Sequence, residues 1–500
     1  MTNLLLLWTD EQRADTIGAC GNQQIQTPNL DRLAEQSVVC TQAYCTCPVC
    51  TPSRATILTG LYPHTHGALY NNVPLPGEVP TIAELLRPRG YICGYAGKWH
   101  LGNELRPQHG FLDSWASMED GYIRDHIREG FSTYHQWLVS KGYAPQDVAV
   151  DGSRIFSRRA AATLPEAAGK PAFLAEQACR FLDQTNGRSF FLSVNFLEPH
   201  MPFTGPWDTL YDPKQMVLPA SWYREPDASM PLRYRIRRAA LHTHNPHVSS
   251  DDERGWKELV ARYWGLVSLV DKYVGRILEY LEYRGLADDT LVVYTSDHGD
   301  MMGEHRLVGK GVAYEGAARV PLLLRHPTLL PKRIFTPVSQ IDLVPTLFDL
   351  LGIERPEHLQ GRSLRPLLER GDRDISSAEV VFEWSGGSSG ETADGHRISA
   401  GEPEQHWRAL LAQQRTIRRG RWKLTVDETN DHELYDLEAD PQELVNLLGK
   451  RHSISTAARE AMEDLWTRLR TWQQRTADPL CLSHPMEASV DQAPEHGDSG

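Results

Sequence analysis

The 500-residue chain has no excess of positive charge: 52 lysines and arginines stand against 65 aspartates and glutamates, a formal charge of −13. That balance excludes nucleic acid and anionic membrane as partners of the bulk surface. Any anion must be held by a few placed cations. Long hydrophobic runs are also missing. Nowhere do about 18 apolar residues follow one another, so no membrane span is expected. The apolar start, Met1 to Trp8, has no basic flank and turns polar at Thr9-Asp10-Glu11. It reads as a buried first strand rather than a signal peptide, which leads us to expect a cytoplasmic protein. Cysteine is scarce as well, with eight in the chain, too few for a disulfide scaffold. No internal repeat is visible.

What the chain does have is enough apolar residue, 40%, for one large domain and a smaller one. Leu4 to Trp8 is a continuous apolar run, Ser189 to Phe196 is a similar one, and Leu291 to Tyr294 is continuous again, the pattern of strands buried on both faces. Between the last two, Val260, Tyr263, Leu266, Val267, Val270, Val274, Ile277, Leu278 and Leu281 recur at helical spacing; another helix-like stretch covers about 172 to 184. This alternation predicts an α/β domain with a mainly parallel central sheet flanked by helices. Such sheets carry their sites at the carboxyl ends of strands, where Asp10, Asp297, His298 and Glu198-Pro199-His200 fall. Composition shifts to Gly, Ser and acids around 372 to 404, with Ser385 to Gly390 as the plainest mobile loop or boundary. Gln414 to Val426 then reads as strand, turn and strand, and Ile454 to Arg475 as a helix. We therefore expect a catalytic domain over 1–375, a small α+β unit over 376–480 and a disordered tail over 481–500.

Three cysteines crowd Cys45-Thr46-Cys47-Pro48-Val49-Cys50. Thiolates at this spacing are compatible with zinc or an iron-sulfur cluster, with Cys40 the nearest fourth thiol. The alternative is that Cys45 and Cys47 are small buried residues.

The residues after Cys50 add a third reading. Cys50-Thr51-Pro52-Ser53-Arg54-Ala55-Thr56-Ile57-Leu58-Thr59-Gly60 resembles the signature of type I sulfatases, Cys-x-Pro-Ser-Arg-x-x-x-x-Thr-Gly. The likeness continues in order through Thr9 to Arg13, Tyr62 to Gly67, Gly97-Lys98-Trp99-His100-Leu101-Gly102, Pro199 to Phe203, Ser296 to Asp300, Gly303 to Lys310, and Glu433 to Leu437 with Asp440-Pro441. It implies an alkaline-phosphatase-like fold and a formylglycine made by oxidation of Cys50, hence a formylglycine-generating or anaerobic sulfatase-maturating enzyme as partner. A hydrated aldehyde carries two hydroxyls on one carbon, one to attack sulfur and one to let sulfate leave by elimination.

The resemblance further implies a metal site of Asp10, Glu11, Asp297, His298 and residue 50. Its oxygen-rich donors suit calcium, with manganese or magnesium as alternatives. Arg54 would bridge nucleophile and metal carboxylates. Lys98 and His100, two apart on an extended segment, would share a face. Lys98, His200 and Lys310 would bind sulfate, His100 would take a proton during elimination, and His200 would help protonate the leaving oxygen. His64, His66 and His305 read as structural.

The expected activity is hydrolysis of a sulfate ester, most simply of a sulfated carbohydrate, oligosaccharide or small metabolite. Phosphonate monoester hydrolases and phosphodiesterases share the fold, the formylglycine and the Asp-His metal pair, and are the alternative; Ser53 after Pro52 favours the sulfatase pattern. Loops 103–170 and 203–255 are where substrate choice is expected. The basic run Arg233 to Arg238 suits either an acidic sugar or a solvated helix face.

Overall fold

Side chains alternate faces along a strand, and the first strand shows what that does to a continuous apolar run. In β1 (Asn3–Asp10), Leu5 and Leu7 enter one core and Leu4, Leu6 and Trp8 enter another on the opposite face. The computed structural model describes residues 1–119, 130–149, 152–225, 229–241, 252–372, 378–388, 391–392, 403–449 and 454–486.

Seven further strands join β1: β2 (Val38–Cys40), β3 (Ile92–Gly97), β4 (Ser114–Ser117), β5 (Phe190–Pro199), β6 (Thr290–Ser296), β7 (Leu322–Arg325) and β8 (Lys332–Ile334). Their order across the sheet is β8-β2-β7-β6-β1-β5-β3-β4. Only β7 runs antiparallel to its neighbours. The expected mainly parallel sheet with helices on both faces is therefore the architecture, that of an alkaline-phosphatase-like sandwich. On one face lie the helices Lys170–Gln184 and Glu253–Tyr283, which contribute Phe173, Val270 and Val274 to the first core. On the other lies the helix Cys50–Thr59, whose ten residues are all buried. It ends at Gly60, which has φ +68°; a Cβ there would stand 2.9 Å from Leu359 and 3.1 Å from Val344, so only glycine closes the helix.

Strands β1, β3, β5 and β6 are mutually parallel, so their carboxyl ends share one edge. Asp10, Lys98, His200 and Asp297 are thereby gathered from positions nearly 300 residues apart.

The C-terminal unit is a small antiparallel sheet, Glu379–Trp384, Gln414–Arg419, Trp422–Asp427 and Glu433–Asp436. The helix Thr456–Thr476 covers it with Met462, Leu465, Leu469 and Trp472 against Ile417, Leu424 and Leu434. Its first strand docks under the cysteine run, where Glu383 N donates to Thr46 O and Trp384 packs on Cys47 and Val49. Of the stretch expected as a boundary, residues 373–377, 389–390 and 393–402 lie outside the described residues, while Gly387–Ser388 pairs with Glu391–Thr392 in a short hairpin. From residue 487 the expected tail lies outside them too. Among the described residues no helix is long and apolar enough to cross a membrane.

His64 ties the two parts together. Its Nδ1 meets Glu383 Oε1 at 2.7 Å and its Nε2 meets the Thr476 carbonyl at 3.0 Å. Both partners accept only, so both ring nitrogens donate and the imidazole is charged. Burial opposes that charge, but the Glu383 contact outweighs it and raises the His64 pKa above 6.5. A raised folded pKa stabilises fully below the unfolded value near 6.5, and the contribution is lost as pH climbs through the folded value. His64→Gln is expected to lose on the order of 1–3 kcal/mol at pH 6 and less at pH 9. Chemical-unfolding midpoints of both proteins at the two pH values check this; an equal gap at both rules it out.

Candidate active site

The Cys50–Thr59 helix presents Cys50 at its first position and Arg54 one turn later. Cys50 Sγ lies 2.9 Å from Lys310 Nζ, 3.3 Å from His298 Nε2, 3.5 Å from Asp10 Oδ1 and 3.6 Å from Lys98 Nζ. Arg54 Nη2 reaches Asp10 Oδ2 at 2.8 Å and Asp297 Oδ2 at 3.0 Å. Its Nη1 donates to the Lys98 carbonyl and to Asn195 Oδ1, each at 2.8 Å, and its guanidinium lies over the Trp8 ring. Lys98 Nζ donates to Asp10 Oδ2 at 2.5 Å. The arginine thus fixes the two aspartates relative to each other, and Lys98 locks one of them.

The charges condition one another. Burial raises the Asp10 pKa, but Lys98 above all, with Arg54 and Lys310, holds it well below the usual carboxylate range. Burial and Asp10 push the Cys50 thiol up, yet Lys310, Lys98 and His298 bring it down to about 7. His298 is disfavoured as a cation by burial, and Asp297 nonetheless pushes it up to about 9. Glu11 is raised well above its usual value, by burial first and by Asp300 and Asp10 beside it.

These residues fit a hard divalent cation. One ligand atom each from Asp10, Cys50, Asp297 and His298 lies within 4.8 Å of the others. His298 Nδ1 donates to the Gly299 carbonyl at 2.8 Å, which leaves Nε2 facing the cluster as the nitrogen that would lose its proton to a bound cation. Glu11 stands apart from this set: its side chain groups with Asp10 and His200, 3.5 Å from Lys310 Nζ and 3.4 Å from His200 Nε2, while its Oε1 has no hydrogen-bond partner among the described residues. Cys45 and Cys47 are buried and belong to no converging ligand group among the described residues. None of the eight cysteines forms a disulfide.

Lys98 and His100 do not share the face of an extended segment. Strand β3 ends at Gly97, and His100 has φ +62°. Gly97 itself has φ +128°, and a Cβ there would sit 2.0 Å from the Asn195 carbonyl, so the backbones approach too closely for any other residue. The chain then turns around Glu104, which accepts from Trp99 N and His100 N. Lys98 enters the cluster, whereas His100 Nε2 donates to Asn72 Oδ1 at 3.1 Å, making Nδ1 its basic atom. Burial, Lys98 and Arg54 keep this imidazole neutral. His200 is likewise held neutral by burial and Lys310, with Nδ1 donating to the Met201 carbonyl at 2.8 Å.

The basic run is only in part a solvated face: Arg235 is exposed, but others of its arginines turn inward. In the helix Leu232–Ala239, Arg233 is buried with its guanidinium 4.4 Å from the Trp384 ring centroid, and Arg237 Nη2 donates to the Lys310 carbonyl at 2.6 Å. Sequence reasoning missed this brace, and also Asn72, Glu104 and Asn195. Asn195 alone left a signal, a polar amide inside an apolar run. Of the loops expected to select substrate, residues 120–129, 150–151, 226–228 and 242–251 lie outside the described residues.

A sequence model of the sulfatase family matches residues 2–353. An ulvan-active sulfatase of Formosa agariphila is 28% identical over 462 residues, covering 90% of this chain and 77% of the relative. An N-acetylglucosamine-6-O-sulfatase of Bacteroides thetaiotaomicron is 28% identical over 481 residues, covering 90% and 83%. Among solved structures, a phosphonate monoester hydrolase of Silicibacter pomeroyi superposes with a TM-score of 0.75 at 25% identity, covering 96% of each chain.

Proposed function

The chain belongs to the sulfatase family and hydrolyses sulfate esters, and from that premise we propose how its residues do so and on what. The observation that carries the reading is the convergence of Asp10, Cys50, Asp297 and His298 within 4.8 Å, ringed by Arg54, Lys98 and Lys310.

A sulfate ester is an anion that repels nucleophiles and has a poor leaving group, so its hydrolysis needs local positive charge, a strong nucleophile and a proton donor. A divalent cation, calcium in our reading with manganese or magnesium as alternatives, would be held by Asp10, Asp297, His298 and residue 50, with Glu11 beside it, and supplies charge stabilisation and acidification of a bound hydroxyl. Formylglycine at position 50, made from Cys50 by a formylglycine-generating or anaerobic maturating enzyme, supplies the attacking oxygen and the second hydroxyl needed for sulfate release. Lys98 and Lys310, whose ammonium groups flank Cys50, bind sulfate oxygens. Arg54 keeps the two aspartates in register. An anion beside His200 favours its imidazolium form, which equips it to protonate the leaving oxygen. His100 takes a proton at Nδ1 as sulfate departs. We assign these steps to residues 1–375 and read 376–480 as the unit that backs the Cys50 segment.

The substrate class we propose is a sulfated carbohydrate or similar small metabolite, in keeping with the ulvan and N-acetylglucosamine sulfatases among the relatives. The phosphonate monoester hydrolase likeness keeps one rival reaction, because both substrates are tetrahedral monoanions. Protein co-produced with a formylglycine-generating enzyme and supplied with calcium or manganese is expected to cleave 4-nitrophenyl sulfate faster than a 4-nitrophenyl phosphonate monoester. Faster phosphonate cleavage overturns the reading and makes manganese the favoured metal.

A further inference from the structure

Lys310 Nζ stands 2.9 Å from Cys50 Sγ, yet the segment that carries it cannot hold its own shape. Its neighbours on either side are Gly309 and Gly311, with φ +80° and +79°, and glycine moves between backbone states with little penalty. Between Arg306 and Glu315 the chain forms neither helix nor strand. Whatever aims the Lys310 side chain at residue 50 must come from outside the segment.

The surroundings of the nucleophile supply part of it. Asp300 Oδ1 accepts from Gly309 N at 3.0 Å, and the Pro48 carbonyl accepts from Gly311 N at 2.9 Å. The remaining anchors come from two other elements. On the helix Leu232–Ala239, Arg237 Nη2 donates to the Lys310 carbonyl at 2.6 Å, and the Tyr234 hydroxyl accepts from Ala313 N at 3.1 Å. From the C-terminal sheet, Lys423 Nζ donates to the Ala313 carbonyl at 2.9 Å.

The Lys423 ammonium group is itself fixed. It is buried between Glu315 Oε1, at 3.1 Å, and Glu443, and Glu443 Oε2 accepts from Glu315 N at 2.8 Å. Burial works against the charge, but the two carboxylates raise the Lys423 pKa above the usual lysine value. Arg418 is the cross-strand partner of Lys423 and shares its face of the sheet. It donates to the Tyr44 hydroxyl at 2.6 Å, which donates to Glu315 Oε2 at 2.7 Å. Apolar side chains would join two units at least as firmly as buried ions do. What these ions add is direction, and the carbonyl they are aimed at belongs to the Lys310 segment.

We propose that Arg237 and Lys423 are positioning residues for Lys310: they fix its backbone so that its ammonium group meets a sulfate oxygen, and the C-terminal unit thereby completes the active site. The proposal rests on the sulfatase reading, in which Lys310 binds sulfate.

The test is a double-mutant cycle in the matured, metal-supplied full-length protein with 4-nitrophenyl sulfate. Lys423→Met and Arg237→Gln are each expected to lower kcat/KM by about ten- to a hundredfold, the scale on which a misplaced group acts. In a Lys310→Ala background the same substitutions are expected to change it by less than about twofold, because the group they aim is already gone. Lys423→Arg, which keeps the charge, restores part of the loss. The same cycle is read without turnover from calorimetric binding of inorganic sulfate, so a weakly active Lys310→Ala protein still decides. If Lys423→Met does not fold, Arg237→Gln, a change at a partly exposed side chain, carries the cycle. Equal losses with and without Lys310, as a merely structural role gives, or single variants with native kcat/KM overturn the proposal. A native protein inactive on 4-nitrophenyl sulfate fells the sulfatase reading and the proposal with it. A native protein that cleaves it, with no loss in Lys310→Ala, fells the proposal alone.

Discussion

Cys50→Ala is expected to reduce turnover of 4-nitrophenyl sulfate by roughly 10⁴-fold or more, the scale of loss when a covalent nucleophile is removed, while the chain still folds. The second half of that expectation comes from the surroundings. Cys50 is the first residue of a helix, where alanine is well tolerated. Lys310, its nearest contact, keeps Glu11 Oε2 at 3.5 Å, so no buried cation is stranded. A change within about 2 kcal/mol is expected, read from thermal unfolding. Mass analysis of the native tryptic peptide 33–54 shows whether residue 50 has been converted. Full activity in the alanine variant would falsify the nucleophile assignment.

Asp10→Ala is expected to be worse for the fold than Cys50→Ala. Asp10 is wholly buried and accepts from Lys98 and Arg54; without it both cations remain buried with one partner fewer. Breaking a buried ion pair from one side costs about 3–5 kcal/mol, so a marked fall in unfolding temperature should accompany loss of activity. The sign with pH follows from its depressed pKa: the stabilisation is present above the unfolded value near 3.8 and is lost as pH falls through the folded one. Asp10→Ala should therefore destabilise fully at pH 7 and progressively less in strong acid. A variant as stable as the native protein at pH 7 would mean that the network contributes little.

The contrast between these two neighbours reflects what was legible beforehand. The strands ending at Asp10 and Asp297 could be read because burial on both faces leaves an unbroken apolar run, and their acids followed at once. The helix at Cys50 carried its own motif. His100 could not be placed, because its direction is set by a left-handed turn that depends on how close Gly97 comes to the Asn195 carbonyl, a contact between distant segments. Arg237 was equally hidden. An arginine in a basic run on a short helix looks the same whether it faces water or braces a lysine, and only the packing of the helix decides.

The parallel pairing of β1 with β6 also has a consequence in time. Asp10 and Asp297 meet only when the strand Thr290–Ser296 has been made and inserted, and His64 finds the Thr476 carbonyl only near the chain's end. At roughly 5–20 residues per second, about 250 further residues must be synthesised after Cys50 before Asp297 exists, an interval on the order of 10–50 s. In the finished molecule Cys50 is only 1% exposed. During synthesis, the segment around it has no complete site to fold into. For the conversion of Cys50 that we propose, the growing chain offers an access that the finished fold closes, and the topology that builds the site sets when that access ends.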